Sequence, residues 1–253
     1  MIVALPNGLK ADIGDDYESF YTIHEIFYLN SYGNLKIESS DFVLDCGAHI
    51  GLFTVKAARK SSQVVSVEPA SSNFTLLLRN IALNALEKKV TPIKRIIAAK
   101  SGLSISLHLH HSKAWNRICS ENSVETEVEI VESVSVDDLS DELDRRFDVL
   151  KIDIEGAELE LLKGSQETLK SVRELVLEYH SERLLQECKE FLDSHGFDCR
   201  VVRLKRFGNT RWLLGYLLLN SRLLLHSKKL NSLKTTGDSY PKIGVLYARS
   251  ARA

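Results

Sequence analysis

The sequence predicts a mostly parallel, doubly wound α/β sheet. Strand-length apolar runs alternate with stretches of helical spacing from residue 42 onward, and several runs end on an acid or a glycine, where a buried strand gives way to a turn. Helices between strands in turn imply parallel βαβ units with right-handed crossovers. DFVLDCG is the first strand and LFTVKAARK the helix after it. QVVSVEP is the second strand, stopped by Pro69, and residues 71–86 form the next helix with Ser71 or Ser72 as N-cap. VTPIKRIIAA reads as a third strand, interrupted by Pro92. Residues 103–136 break the rhythm: SISLHLH and VETEVEIVESVSV alternate with period two and predict an antiparallel pair inserted in, or lying beside, the main sheet. The alternation resumes with FDVLKIDI as a strand, AELELLKGSQETLKS as a helix, ELVLEYH as a strand and ERLLQECKEFLDSHGF as a helix closed by Gly196. CRVVRLKR and IGVLYAR are terminal strands. Residues 1–40 read as an N-terminal extension with a short helix around Phe20, Ile23 and Phe27.

Composition narrows the function classes. With 44% hydrophobic and 26% charged residues, the 253-residue chain has the balance of a soluble globular protein with a core of useful size. Cys46, Cys119, Cys188 and Cys199 form no CxxC pair, so neither a zinc knuckle nor a disulfide framework is expected. The first residues lack the basic and apolar regions of a secretory leader, and no run of about 18 apolar residues marks a membrane span. A cytoplasmic setting is therefore expected.

The strongest constellation is Asp45-Cys46-Gly47-Ala48-His49-Ile50-Gly51, directly after the first strand. Gly47 and Gly51 let the backbone turn tightly and approach a ligand, and the helix that starts there directs its free N–H groups toward it. Glu68, at the end of the second strand, is placed to hydrogen-bond ribose hydroxyls. A nicotinamide fingerprint would need G-x-G-x-x-G; here the spacing is G-x-x-x-G, with His49 in place of the middle glycine. No pyrophosphate needs close approach if the cofactor has none, and Asp45 suits a cationic ligand. S-adenosylmethionine, with its ribose, ammonium and sulfonium and no phosphate, meets these terms.

DCGAHIGLFT, VVSVEPASSNFTLLLRNIALN, SVSVDDL, DVLKIDIEGAELELLKGS and LVLEYH together resemble the FkbM family of methyltransferases, over about residues 42–200. The resemblance implies a class I methyltransferase fold. That fold is a Rossmann-like three-layer sandwich with a seven-stranded, mostly parallel sheet whose last strand is antiparallel, here with an inserted β-hairpin. It also implies S-adenosylmethionine as cofactor and O-methylation of a hydroxyl as the usual reaction. Carried over by position, Asp45, Gly47, Gly51 and Glu68 are cofactor residues, with His49 and Pro69 in the same two turns; His49 stands where the family pattern leads one to expect Asn. On this reading residues 41–206 and 241–253 form the methyltransferase domain, and residues 207–240 a basic amphipathic insertion within it.

Methyl transfer from a sulfonium is an in-line displacement, so the protein chiefly aligns nucleophile, methyl and leaving sulfur. A hydroxyl acceptor also benefits from a base. Asp153, Glu155 and His180 are the catalytic candidates: strand alternation puts Asp153 and Glu155 on one side if the chain stays extended, and His180 can orient with them. The alternative for Glu155 is capping the next helix or pairing with Lys151. The same three residues also form a set able to bind a divalent ion, a hypothesis on which no residue is assigned to a metal here. His108 and His110, which share a strand face, are read as exposed polar residues, and Trp115, Asn116 and Arg117 as loop residues of the insert.

Charge is distributed unevenly. Residues 200–253 carry twelve Lys and Arg against a single acid, Asp238. Within them, Arg211, Gly215, Arg222, His226 and Lys229 fall within about 60° of one another on a helical projection, and most of the remaining surface of residues 211–229 is apolar. Such a face needs cover. Either it packs as a lid on the core or against a second subunit in a homodimer, or it lies on an anionic membrane as a peripheral anchor. The expected acceptor is a saccharide, glycolipid or other small molecule. An RNA acceptor is the second reading, since basic residues can contact phosphates, and a catalytically silent cofactor-binding module the third. Against RNA, aromatics do not interleave with the basic residues.

Overall fold

The structure, a computed structural model, describes residues 1–14, 19–109, 117–118, 127–203 and 244–251. The readings made for residues 207–240 and for His110, Trp115 and Asn116 lie outside the described residues. A short hairpin, β1 (Ile2–Ala4) and β2 (Lys10–Asp12), opens the chain, followed by α1 (Ser19–Ile23), which continues as a π-helical turn over His24–Tyr28. The main domain then runs β3 (Phe42–Cys46), α2 (Leu52–Ala58), β4 (Gln63–Val67), α3 (Ser71–Leu83) and β5 (Val90–Ile93). The insert holds β6 (Ile96–Ile97), β7 (Ser104–Leu109), β8 (Arg117–Ile118) and β9 (Glu127–Val134). It is followed by α4 (Val136–Glu142), β10 (Val149–Ile152), α5 (Glu158–Lys163), β11 (Glu174–Tyr179), α6 (Glu182–Ser194), β12 (Phe197–Arg203) and β13 (Gly244–Ser250).

Seven strands form the central sheet in the order β12-β13-β11-β10-β3-β4-β5. β13 is antiparallel to both its neighbours, and the β11-β10-β3-β4-β5 pairings are parallel. The chain leaves β3 toward β4 on one side and β10 lies on the other, so strand order reverses between β3 and β10. In open sheets of this kind ligands bind at that switch point, beyond the strand carboxyl ends.

Alternation along each strand divides the core into two layers. Val43, Val64, Val149, Val176 and Val245 face the layer that holds the N-terminal hairpin, α2 and α3. Leu44, Val65, Leu150, Leu175 and Leu246 face the other, with residues of α4, α5 and α6. Burial on both faces explains why these strands read as nearly continuous apolar runs. Residues 1–14 are fastened to this domain by α3: Asn80 donates to Asp12 O at 3.1 Å and Ile50 O at 2.7 Å, and Asn84 one turn later donates to Lys10 O at 2.8 Å.

Four local expectations are corrected. Neither Ser71 nor Ser72 is the N-cap of α3. Ala70 holds that position, and the carboxylate of Glu129 on β9 caps the helix from outside by accepting from Ser71 N at 3.1 and 3.2 Å and from Ser71 Oγ at 2.6 Å. Pro92 does not break its strand, because β5 is the sheet edge, where a missing N–H costs nothing; the chain departs after Ile93 instead, and β6 joins β9 in parallel. The insert is thus a four-stranded sheet, β6-β9-β7-β8, around the expected antiparallel β7–β9 pair. Finally, α5 stops at Lys163. Gly164 packs against the backbone of Ala98 and Ala99, where a Cβ would come within 3.0 Å, and a separate 3-10 turn follows at Thr168–Lys170.

No helix among the described residues is long and apolar enough to cross a membrane.

Candidate active site

Near the strand carboxyl ends one core layer turns polar. Two residues beyond Val43, Val64, Val149 and Val176 stand Asp45, Ser66, Lys151 and Glu178, all buried and all on the face covered by Tyr32 from the N-terminal segment. Asp45 and Lys151 are register partners of β3 and β10, and their charged groups meet at 3.2 Å. The second oxygen of Asp45 accepts from Thr54 Oγ1 at 2.6 Å, and Thr54 lies 3.0 Å from Ser66 Oγ. Lys151 Nζ also donates to Gly47 O at 2.8 Å, lies 3.4 Å from Asp153 Oδ2 and sits 5.9 Å from the Tyr32 ring centre. Burial works against its charge, but Asp45, Asp153 and Glu178 outweigh that and keep it a cation. Tyr32 Oη donates to Glu178 Oε2 at 2.8 Å and lies 3.4 Å from Asp153 Oδ2. Burial and these two acids push its phenol well above the ordinary range, so it stays a donor.

The turn after β3 has the shape its residues predict. Gly47 and Gly51 have φ of 76° and 85°. A Cβ on Gly47 would stand 1.8 Å from Asp153 O, and one on Gly51 2.5 Å from a Leu77 methyl. His49 also has positive φ, 51°, a region where Asn and His are over-represented among non-glycine residues. That conformation accounts for an Asn-like preference at the position. Glu68 stands at the end of β4, almost wholly buried. Its Oε2 accepts from His49 N at 2.8 Å, and its Oε1 from Ala70 N at 3.1 Å and Asn73 Nδ2 at 3.3 Å. Burial raises its carboxyl to about 7 against the pull of those bonds. Pro69 follows directly and leads the chain from β4 to α3.

Asp153, Glu155 and His180 come together, though not by the extended strand that alternation predicts. β10 ends at Ile152, and Glu155 takes φ 54° with Gly156 at 105°, so a turn beyond the sheet sets both carboxylates against His180. His180 Nε2 lies 3.4 Å from Glu155 Oε2 and 4.0 Å from Asp153 Oδ1. Its Nδ1 lies 2.8 Å from Oε1 of Glu158, a fully buried carboxylate that also accepts from Gly156 N at 3.0 Å. Burial disfavours a charged ring, but the Glu158 hydrogen bond and the charges of Glu155 and Asp153 prevail and raise His180 to about 10. Lys151 pairs with Asp45 and Asp153, and Glu155 pairs with His180. His108 lies in β7, opposite Val128 and Arg117, within the insert.

A profile of the methyltransferase FkbM domain matches residues 45–199, more than half the chain. The chain belongs to the FkbM methyltransferase family. Among curated relatives of this FkbM methyltransferase is methyltransferase sdnD of Sordaria araneosa, 28% identical over 214 residues, which cover 72% of this chain and 83% of that protein. Hexuronic acid methyltransferase AglP of Haloferax volcanii is 26% identical over 174 residues, 68% of this chain and 69% of that one. Among solved structures, the FkbM methyltransferase of Methylobacillus flagellatus superposes with a TM-score of 0.55 at 18% identity. The match covers 89% of this chain and 47% of that one, so this chain spans about half its length and the likeness is one of fold. The shared fold is that of class I methyltransferases.

Sequence reasoning missed Tyr32, Thr54, Ser66, Glu158 and Glu178, and gave Lys151 no place in the site of the FkbM methyltransferase. One signal was present: Lys151 and Glu178 interrupt runs that should be wholly apolar in a parallel sheet, and a charged residue in such a strand marks a buried ion network.

Proposed function

We propose that this methyltransferase uses S-adenosylmethionine to O-methylate a hydroxyl on a saccharide, glycolipid or other small acceptor. The observation that carries the reading is Glu68. Its buried carboxylate stands at the carboxyl end of β4 and accepts from His49 N, in a glycine turn closed to any larger residue at Gly47 by Asp153 O. An acid there suits a ribose diol, and the acidic lining suits a ligand with ammonium and sulfonium groups and no phosphate. On this reading Gly47, His49 and Gly51 form the turn against which the cofactor lies, with Pro69 behind Glu68. Asp45 acts at one remove: it has no exposed surface, and it holds Lys151, whose ammonium in turn holds Gly47 O.

When bound, S-adenosylmethionine supplies a methyl group already activated by its sulfonium, which leaves as a neutral thioether. The protein's share is alignment and proton removal. We assign Asp153, Glu155 and His180 to the acceptor side: they hold the acceptor hydroxyl, a carboxylate of the pair takes up its proton, and His180 orients the two acids. Lys151 and Tyr32 fix the Oδ2 edge of Asp153, leaving Oδ1 toward His180. The hexuronic acid named for the Haloferax volcanii relative supports a sugar acceptor.

Calorimetry with S-adenosylmethionine and with NAD tests the cofactor: binding of the first alone, weakened at least tenfold by Glu68→Ala, is expected. Labelled-methyl transfer to fractionated glycans, lipids and RNA then identifies the acceptor. Label confined to RNA would overturn the small-acceptor reading.

A further inference from the structure

Three features set the Asp153–Glu155–His180 cluster apart from an ordinary ion pair. First, its distances are wrong for hydrogen bonds and right for a shared ion. His180 Nε2 stands 3.4 and 4.0 Å from its two carboxylate neighbours, beyond the usual 2.7–3.2 Å or so for N–H···O. All three donor atoms lie within 4.8 Å of one another. Ligand atoms about 2.1 Å from one ion at near-octahedral or tetrahedral angles are roughly 3.0–3.5 Å apart. A short contraction of these side chains reaches that geometry.

Second, the far side of the imidazole is anchored. Glu158, with no exposed surface, holds Nδ1 at 2.8 Å and is itself held by Gly156 N. A carboxylate accepting from one ring nitrogen keeps the proton there, so that a metal displacing the proton on the other meets its lone pair, the arrangement that supports metal-bound histidines. Asp153 is oriented in the same way, with Oδ2 engaged by Lys151 and Oδ1 toward His180.

Third, charge and access agree. Asp153, Glu155 and Glu158 surround His180, with Lys151, which Asp45 also claims, as the nearby ammonium. Partly buried carboxylates in such excess call for a further cation. A cavity of about 320 Å³ opens beside the cluster, lined by Glu155, Gly156, His180, Ser181 and Leu184 and by Arg183, whose charge is taken up by Glu187 at 2.7 Å; it leaves space for water or an acceptor oxygen.

We propose that Asp153, Glu155 and His180 bind one divalent cation through His180 Nε2 and one oxygen of each carboxylate. Two carboxylates suit a hard divalent ion, and one imidazole nitrogen favours a first-row transition metal among these, such as Mn2+. Two carboxylates balance its charge, and the remaining positions face the cavity. The inference rests on the O-methylation reading for its purpose, since a cation there lowers the pKa of an acceptor hydroxyl bound to it. Its test does not use that reading.

The full chain, stripped with EDTA and desalted, is titrated with MnCl2 alone, without cofactor or acceptor, and free Mn2+ is read by electron paramagnetic resonance. One site per chain is expected. His180→Ala and Asp153→Asn should each weaken it at least tenfold, and Glu158→Ala by about 10–100-fold, as for outer partners of metal ligands. Circular dichroism melts check that each variant is folded; His180→Gln serves if His180→Ala is not. Absence of a site, or a site that all the variants leave unchanged, overturns the proposal. Calorimetry of the same stripped protein with S-adenosylmethionine reports separately on the cofactor, so either claim can fail while the other stands.

Discussion

Lys151 Nζ lies 3.2 Å from Asp45 Oδ1 across directly paired positions of β10 and β3, with both side chains buried. Such a pair contributes little net stability while intact, yet removing one partner strands a charge in the core. Lys151→Met should therefore destabilise the fold by about 3–5 kcal/mol, read by urea denaturation. Asp45→Asn added to it should restore part of the loss, because the stranded charge is gone. Strictly additive losses in the double variant would show that the two residues do not act as a pair.

The glycine turn gives a steric prediction. Gly47→Ala must place a methyl 1.8 Å from Asp153 O while holding φ at 76°. Gly156→Ala meets at least as large a conformational penalty, at φ 105°, with nothing within 4 Å of the new Cβ. Left-handed strain alone costs about 1–2 kcal/mol. Gly47→Ala should lose clearly more than Gly156→Ala in melting temperature, and cofactor binding with it. Equal losses would mean that the close approach of the two turns is not what demands a glycine at 47.

Glu68 makes cofactor affinity depend on pH. Burial lifts its carboxyl from an ordinary 4.5 to about 7 in the ligand-free protein. The proton is thus held more tightly folded than unfolded, so this group's contribution to stability is greatest below 4.5 and falls as pH rises toward 7. Binding runs the other way, since the ionised form is the better acceptor for ribose hydroxyls. Association should strengthen about tenfold from pH 6 to pH 8, the change in ionised fraction for a group titrating near 7. Glu68→Gln should bind more weakly and flatten that dependence. A wild-type profile flat across this range would remove Glu68 from direct contact.

Much of the fold was legible because parallel strands buried on both faces must be apolar and must alternate with helices. The two glycines and Glu68 were legible for a related reason: a tight turn and a ribose-facing acid each need one residue type at one place. Other parts were hidden by tertiary structure. Tyr32 reaches Glu178 and Asp153 across more than 120 positions, a path no local pattern encodes. The meeting of Asp153 and Glu155 depends on a left-handed Glu155, whereas period two assumes extended chain. α4 was obscured by the strand pattern before it, although Ser135 and Asp138 carry a capping signal three residues apart. Ser135 Oγ does accept from Asp138 N at 3.1 Å.

The cap on α3 shows how the insert is tied to the main domain, and it yields a prediction with a definite sign. Glu129 reaches from β9 to the first turn of α3, where both its oxygens accept from Ser71 N and Lys94 Nζ lies 3.4 Å away. A carboxylate at a helix N-terminus satisfies an orphan donor and faces the positive end of the dipole, together worth about 1–2 kcal/mol. Partial burial opposes its charge, but the Ser71 bonds and Lys94 prevail and hold Glu129 below the ordinary value of 4.5. A depressed carboxyl contributes stability that is fully present above the unfolded value and is lost as pH falls through the folded one. Glu129→Ala should therefore cost about 1–2 kcal/mol at pH 7, and the gap from wild type should narrow as pH falls below 4.5. Urea denaturation at the two pH values measures it. A gap that persists unchanged in acid would assign the loss to packing of the β9 side chain rather than to its charge.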